Sequence, residues 1–415
     1  MAVLGTFARF ASLAAMCAFA AACSSSSTTT TSQSSSGSPG PSGSVIKIGI
    51  DLPVSGADAS TGIPTRNGAV AAIEDANARG VPGGFKFVAY DLDDAVQGAH
   101  DPAQGAQNTK TFVADEAVLA MVGPFNSSVA QAEIPITNDA GLAQISPAAT
   151  NPGLTKGPVA ARLRTSHPDA NAFFRVCATD DWQGLALARG ARALGSKKVF
   201  VIDDNETYGK GLADVFDAQF KMLGGTVIGH EHLTKGQTDY KALLTKAHAL
   251  APDLIFFGGT TSTGGGLLRK QMADAALGGL PYLGGDGISD AEFLTTAGAN
   301  ANGTYYTVAA PAGAAAFVAA YKRRFNSEVG AYSANGYAAA AAEVAAIEKA
   351  IVEGGNKLPT RADVLRHVAA TKNLDTPIGK VGFDAAGDTT HPALSMYKIT
   401  GGKAQVASLI DLSKH

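Results

Sequence analysis

The sequence predicts an α/β protein of two lobes built on parallel sheets, and two observations support this prediction. The chain has 415 residues, far more than one small hydrophobic core requires, so two lobes are expected. From residue 45 onward, short apolar runs typical of strands alternate with segments of helical periodicity. An alternating order of strands and helices favours parallel sheets that helices cover on both faces.

The predicted strands coincide with the short apolar runs. They cover residues 45–50, 85–90, 117–122, 142–145, 198–202, 226–229, 254–257, 282–283, 380–383 and 394–399. The predicted helices cover residues 66–78, 211–223, 239–250 and 266–276. Four of five positions along one face of the second of these helices are apolar, and Gly224 and Gly225 end it.

The first 44 residues have the composition of an export signal followed by a linker. Residues 10–22 form an apolar run that is too short to span a bilayer and is typical of a signal-peptide core. Cys23 follows three alanines, and residues 24–44 are almost all Ser, Thr, Gly and Pro. This order resembles a bacterial lipoprotein signal, which implies a signal peptide over 1–22, a lipid anchor on Cys23 and a flexible tether over 23–44.

Two features of this N-terminal segment depart from the usual lipoprotein pattern. Ala20 stands where leucine is usual, three positions before the cysteine, and Arg9 is the one basic residue of the segment before it. A plain secretory signal with an incidental cysteine is therefore the alternative. No other segment of the sequence is long and apolar enough to predict a membrane span.

Charge and cysteine content limit the partners and the chemistry. The net charge is −3, and removing residues 1–22, with Arg9 as their one charged residue, gives −4. This weak acidity argues against a nucleic-acid partner. Once Cys17 is removed and Cys23 is lipidated, Cys177 is left alone, so no intrachain disulfide is expected and Cys177 is predicted to be a buried apolar residue.

Two turns carry most of the functional information. Residues 123–128 and 145–152 each follow a predicted buried strand, break at Gly or Pro, and offer small hydroxyl residues. Ser127 stands where a helix N-cap is expected, and free backbone N–H groups at such a turn attract a carboxylate or a phosphate. Two such turns at the carboxyl edge of a parallel sheet would make a small-ligand site, whereas each taken singly is also compatible with an ordinary helix start.

The two turns together resemble the ligand-binding core of the branched-chain amino acid-binding proteins, the receptors of a family of ABC importers; residues 145–152 read ISPAATNP, as they often do in that family. The resemblance covers nearly all of residues 45–415. It implies a type I periplasmic-binding-protein fold, in which two doubly wound parallel-sheet lobes are joined by three crossovers. The implied lobes are 45–165 plus 308–378 and 166–307 plus 379–415, with crossovers near 163–176, 300–309 and 376–381.

The resemblance also implies which residues hold an amino acid. Ser127 and Thr150 would bind the ligand carboxylate through hydroxyl and backbone N–H groups, and the carbonyl of Ala148 would bind its amine. Tyr208 would pack on the ligand from the loop that follows the strand over 198–202. Asp286 would face the ammonium group, a strong charge-assisted contact in a partly dried cleft.

Four positions depart from the family pattern or have a simpler interpretation. Asp286 stands where the family more often has glutamate, so the ligand must sit deeper or a water must bridge. Thr61 and Thr260 stand where close relatives carry an aromatic residue and a tyrosine, which predicts a wider or wetter side-chain pocket. The simpler interpretations are surface packing for Tyr208, a helix N-cap for Asp286, and ordinary loop positions for both threonines.

Other chemically suggestive residues predict no further site. His230 and His232 alternate on one strand, but no third metal ligand at useful spacing accompanies them, so solvent-facing strand residues are expected and no metal is predicted. Trp182 is expected to pack rather than to stack on a ligand. The glycines at 264–266 lack the lysine of a phosphate loop, and there is no G-x-S-x-G motif, so neither a cofactor nor an enzyme activity is predicted.

The resemblance implies a function outside the membrane. The chain would be a monomeric lipoprotein, anchored by Cys23, that captures a branched-chain or related amino acid between its lobes and delivers it to an ABC permease. Lobe closure around the ligand would be the mechanism. The alternatives are a sensory or regulatory binding module of the same fold, a receptor for a short amide, urea or carboxylate, and a secreted hydrolase, for which the motifs offer no nucleophile–base pair.

Overall fold

The computed structural model describes residues 45–407. The predicted signal peptide, the tether and Cys23 lie outside these residues. The strands are β1 Val45–Leu52, β2 Lys86–Asp93, β3 Ala95–Val96, β4 Ala99–His100, β5 Val118–Val122, β6 Ala143–Ser146, β7 Phe173–Arg175, β8 Lys198–Asp203, β9 Thr226–His232, β10 Leu254–Gly258, β11 Tyr282–Gly284, β12 Thr304–Val308, β13 Leu374–Thr376, β14 Gly379–Val381, β15 Ser395–Thr400 and β16 Lys403–Val406.

The α-helices alternate with these strands through most of the chain. They are α1 Ala59–Arg79, α2 Pro102–Ala114, α3 Ser127–Ala140, α4 Gly157–Leu163, α5 Asp180–Ala193, α6 Thr207–Met222, α7 Lys241–Ala249, α8 Gly265–Gln271, α9 Ala291–Ala297, α10 Ala315–Phe325, α11 Ser333–Glu353 and α12 Arg361–Ala369. No helix within residues 45–407 is long and apolar enough to cross a membrane.

The first sheet has the strand order β2-β1-β5-β6-β7, and all its neighbouring strands are parallel. Its central strand β5 is a continuous apolar run in which every residue is buried. This is the pattern expected of a parallel sheet with both faces covered. Strand β7 belongs to this sheet, so residues 173–175 lie in the first sheet. The predicted boundary placed them in the second lobe, which was expected to begin at residue 166.

The second sheet has the order β16-β15-β12-β11-β10-β8-β9. Strands β9, β8, β10, β11 and β12 run parallel, whereas β15 and β16 add an antiparallel hairpin at one edge. Each sheet has its own hydrophobic core, and we call the first sheet with its helices the first lobe and the second sheet with its helices the second lobe. The fold is the predicted one, with two α/β lobes.

Helices α1 and α11 cross closely on the first sheet. A Cβ atom on Gly68 would lie 1.9 Å from the carbonyl oxygen of Ser333, and one on Gly336 would lie 2.1 Å from that of Thr65. A Cβ atom does not approach a backbone oxygen this closely, so only glycine permits this crossing. The crossing holds the first turn of α11 in place, and Tyr332, the residue before that turn, is thereby held beside the candidate site.

Three element boundaries differ from the predicted ones in ways that affect function. Helix α1 begins at Ala59 and includes Pro64, a residue that disfavours a helix interior, so Thr61 lies in the first turn of a helix and not in the predicted loop. Helix α6 begins at Thr207, which places Tyr208 in its first turn. Strand β9 extends to residue 232, beyond the predicted end at 229.

Candidate ligand-binding site

Five of the residues that the sequence singled out line one small cavity between the two sheets. They are Ser127, Ala148, Tyr208, Thr260 and Asp286, and the cavity is completed by Phe125, Asn126 and Gly287. Its volume of about 20 Å³ accommodates one water molecule. Every lining residue follows the carboxyl end of a parallel strand, the edge at which open α/β sheets bind their ligands.

The N-terminus of α3 forms the first-lobe side of this cavity. The N-cap residue is Asn126, with extended backbone angles, so the helix begins at Ser127, one position earlier than the predicted N-cap at Ser127 implies. The Asn126 side chain makes no capping bond, and its Oδ1 is buried without a hydrogen-bond partner among the described residues. The first backbone N–H groups of a helix have no intrahelical acceptor, so this end of α3 is suited to a carboxylate.

The turn after β6 lies against the start of α3. The hydroxyl of Ser146 donates to the carbonyl of Pro124 at 2.6 Å and accepts from the backbone N–H of Ala149 at 2.9 Å. The N–H of Asn151 donates to Ser127 Oγ at 3.2 Å. These bonds join the two turns that the sequence singled out into one structural unit.

Arg175, the last residue of β7, stabilises this unit through hydrogen bonds to its backbone. Its fully buried guanidinium donates to the carbonyls of Ala149 and Asn151, both at 2.8 Å, and to Asp388 Oδ1 at 2.7 Å. Burial alone would raise the pKa of Asp388, but Arg175 and Lys156 hold it below its usual range. The ion pair therefore stays charged, and it fixes the backbone of the turn that carries Ala148.

Asp286 forms the second-lobe side of the cavity. Its Oδ2 accepts hydrogen bonds from the hydroxyl of Tyr332 and from Gln183 Nε2, the latter at 2.9 Å. Thr307 donates to Gln183 Oε1 at 2.7 Å, which orients the amide so that its N–H₂ group faces Asp286. The carboxylate is thus held in one position by two donors, one from α5 and one from the N-cap residue of α11.

Burial raises the pKa of Asp286, while hydrogen bonds from Tyr208, Tyr332 and Gln183 oppose this rise. Asp180 lies close by, because Gln183 Nε2 also donates to its Oδ1 at 3.0 Å. Burial raises the pKa of Asp180 well above its usual range, and the charge of Asp286 raises it further. Two carboxyl groups so close to each other in a dry environment disfavour double ionisation, and a cation in the cavity would relieve that cost.

Tyr208 lies across the backbone at residues 285–287. Its hydroxyl accepts from the N–H of Gly287 at 3.1 Å, and the side chain is buried. A Cβ atom on Gly285 would lie 2.4 Å from the Tyr208 hydroxyl, so glycine is required for this close approach. Tyr208 is therefore part of the cavity wall rather than of the outer surface.

The two threonines predicted to shape the side-chain pocket lie apart. Thr260 lines the cavity, and its hydroxyl pairs with those of Ser262 and Thr263 at 2.8 and 3.1 Å. Thr61 instead lines a neighbouring groove of about 210 Å³, and its hydroxyl donates to the carbonyl of Asp58. Phe125 lines both spaces, so the groove and the cavity adjoin at that ring.

Thr150 is fully buried and does not line the cavity. Its carbonyl accepts from the N–H of Asp180 at 3.0 Å, so it lies directly behind the Ala148 turn. Cys177 is buried and free as expected, and burial raises the pKa of its thiol. Trp182 packs against the core of the second lobe.

Sequence analysis missed three residues of the site. Phe125 lies inside the turn at residues 123–128, so its place in that turn could have predicted that it lines the cavity. Tyr332 and Gln183 lie 46 and 103 residues from Asp286 in the chain. Neither belongs to a recognisable motif, so only the tertiary structure brings them to the site. The ring of Tyr332 also packs edge-on against Phe125 at a centroid distance of 5.3 Å.

Comparison with known proteins identifies the family of the chain. The family model described as "Periplasmic binding protein" matches residues 45–404. A Leu/Ile/Val-binding protein of Rhizobium johnstonii, BraC3, is 34% identical over 369 residues, which are 87% of this chain and 94% of that protein.

Two solved structures superpose on most of this chain. The leucine-binding protein LivK of Thermotoga maritima is 26% identical with a TM-score of 0.75, and the match covers 88% of this chain and 98% of LivK. LivJ of Streptococcus pneumoniae, a branched-chain amino acid transporter substrate-binding protein in complex with isoleucine, is 29% identical with a TM-score of 0.73, covering 88% and 99%. The chain therefore belongs to the periplasmic binding protein family of type I, whose members are substrate-binding proteins of transport systems and not enzymes.

Proposed function

We propose that this protein is an extracytoplasmic receptor that captures a branched-chain amino acid between its two lobes and delivers it to an ABC permease. The observation that carries the proposal is the pairing of opposite electrostatic features across one cavity. The N-terminus of α3 offers positive partial charge on the first-lobe side, and Asp286 offers negative charge on the second-lobe side. An α-amino acid carries the complementary carboxylate and ammonium groups.

In this proposal the ligand carboxylate binds Ser127 and the first N–H groups of α3. The ammonium binds Asp286 and the carbonyl of Ala148, both of which line the cavity. Thr150 acts from behind, by holding the turn through its bond with Asp180. The hydrocarbon side chain of the ligand lies toward Phe125, whose ring separates the cavity from the groove that Thr61 lines.

Both lobes contribute contacts, so the ligand favours the closed arrangement. A cavity of about 20 Å³ is too small for an amino acid, so the lobes must separate to admit the ligand and then close around it with more space between them than in this structure. A ligand that touches both faces binds the closed form better and shifts the equilibrium toward it. The permease would distinguish the closed form from the open one, and the receptor would act as a monomer.

Thermal unfolding against a solute panel tests this proposal. Leucine, isoleucine and valine at about 100 times their dissociation constants should each add about 2.7 kcal/mol to the unfolding free energy. Decarboxylated and deaminated analogues, isoamylamine and isocaproate, serve as matched controls because each lacks one charged end. A shift with an analogue equal to that with leucine would refute two-ended recognition, and no shift with any amino acid would refute the function.

We also propose that Cys23 carries a lipid anchor after removal of residues 1–22. The apolar run before the cysteine and the Ser/Thr-rich segment after it support this proposal. In cells, the Cys23→Ala variant should leave the membrane fraction or accumulate unprocessed while still binding its amino acid. Membrane retention of the processed variant would argue against lipidation at this residue.

A further inference from the structure

Two histidines and one aspartate converge on the outer side of the second lobe. His230 and His232 lie two residues apart on β9, so their side chains project from the same face of the strand. Asp203 is the last residue of β8, the neighbouring parallel strand, and it pairs in register with His232. The sequence shows only the two histidines, because the third member comes from a different strand 27 residues earlier.

The three side chains meet at their metal-binding atoms. His230 Nε2 lies 2.7 Å from Asp203 Oδ2, and His232 Nδ1 lies 2.8 Å from the same carboxylate. One ligand atom from each residue lies within 4.8 Å of the other two. In a tetrahedral zinc site with bonds of 2.0–2.1 Å, neighbouring ligand atoms are about 3.3 Å apart. Coordination of zinc would therefore require side-chain adjustments that lengthen the histidine–carboxylate contacts from 2.7–2.8 Å to about 3.3 Å.

The surroundings suit a bound cation. Asp203 is fully buried, the side chain of His230 is 20% exposed and that of His232 is 48% exposed, so one side of the cluster opens to solvent. The second ring nitrogen of His230 lies 3.7 Å from Asp217 Oδ2 on α6. This separation is an ion-pair distance and not a hydrogen bond, so Asp217 would orient the ring of a metal-bound His230 only after a small shift toward it.

The donor set indicates which cation fits. Two imidazole nitrogens and one carboxylate oxygen suit zinc, with water as the fourth ligand on the open side. Calcium and magnesium prefer sets of oxygen ligands, so this cluster discriminates against them. We propose that Asp203, His230 and His232 form a zinc-binding site on the second lobe, distinct from the amino-acid cavity.

The site lies at the start of the segment that leads to the cavity. Asp203 Oδ1 accepts from the N–H of Asn205 at 2.8 Å, and Tyr208 follows in the first turn of α6. None of the three proposed ligands lines the amino-acid cavity. Substitutions of the two histidines should therefore leave the fold and amino-acid binding intact, and amino-acid binding can serve as the control for correct folding.

Zinc titration of tag-free, chelator-treated protein by calorimetry tests the site, and cobalt absorption spectra report its geometry. The wild type should bind one zinc ion per chain, and His230→Gln and His232→Gln should each weaken binding by at least about 10-fold to 100-fold. His248→Gln changes an exposed histidine on α7 and should bind zinc like the wild type. Absence of stoichiometric binding, or equal affinity in the His230→Gln/His232→Gln double variant, would overturn the proposal.

Discussion

Replacing Asp286 by asparagine separates the charge of this residue from its shape. The amide oxygen can take the place of Oδ2 and accept from Gln183 and Tyr332, as the carboxylate does. In the proposed binding mode, the amide N–H₂ group then stands where the second carboxylate oxygen would face the ligand. The amide N–H₂ and the ligand ammonium are both hydrogen-bond donors and cannot bond to each other. The variant therefore loses the charge pair while it keeps the packing.

The expected loss follows from the burial of this pair. Asp286 is 8% exposed and lies in a cavity that holds about one water molecule, so the lost contact cannot be replaced by bulk solvent. Removing one partner of such a charge pair costs about 2–5 kcal/mol. At about 1.4 kcal/mol per tenfold change, the dissociation constant for leucine should rise by about 30-fold to about 4,000-fold.

Two measurements together make the test decisive. Calorimetry gives the affinity, and the fluorescence of Trp182, the one tryptophan of the chain and the residue next to Gln183, gives an independent signal. Glu343→Gln is a matched control, because it exchanges another fully buried carboxyl for an amide on α11. An Asp286→Asn variant that binds leucine as the wild type does would refute the assignment of Asp286 to the ammonium group.

The pH dependence of binding checks the same assignment. Burial raises the pKa of Asp286 above 3.8, against the opposing hydrogen bonds of its neighbours. The ammonium group binds the ionised carboxylate, so leucine affinity should fall on acidification at a pH higher than an ordinary aspartate would give, by up to tenfold per pH unit. The Asp286→Asn variant should lack this dependence.

Three further predictions concern stability and selectivity. Arg175→Met should destabilise the protein by about 3–5 kcal/mol in urea unfolding, because it removes one partner of a buried ion pair and leaves two carbonyls without their donor; an unchanged midpoint would contradict this role. Burial raises the pKa of Glu343, so its folded form holds a proton that the unfolded chain releases above about pH 4.3. Relative to Glu343→Gln, the wild type should therefore lose about 1.4 kcal/mol of stability per pH unit above that point until the raised pKa is reached, and parallel stability curves would exclude this. Thr260→Tyr should shift preference from leucine toward valine or alanine by about 10-fold to 200-fold in the ratio of their dissociation constants, and unchanged ratios would remove Thr260 from the side-chain wall.

Local chemistry accounts for what the sequence determined about the fold. The apolar runs of β5, β8 and β10 are strands that are buried along most of their length, so their composition alone predicts them. The ends of elements were predicted less well: α1 begins at Ala59, whereas the predicted helix began at residue 66. Its first turns contain Gly62 and Pro64, which disfavour a helix locally, and packing against α11 stabilises the helix in spite of them.

The residues of the candidate site likewise fall into those that local sequence predicts and those that only long-range packing brings together. Residues that follow strand ends, such as Ser127, Ala148 and Asp286, are recognisable because the carboxyl edge of a parallel sheet determines where their side chains lie. Tyr332 and Gln183 contact Asp286 only because the two lobes and α11 bring distant segments together.

The histidine cluster follows the same rule. His230 and His232 are visible in the sequence as alternating residues of one strand, whereas Asp203 joins them through the pairing of β8 with β9. Sequence periodicity reports which face of an element a residue occupies, and it identified strands such as β5, β8 and β10 and the helices α1, α6, α7 and α8. Which side chains meet across those faces depends on strand order and register, and these are decided by long-range packing that only the tertiary structure contains.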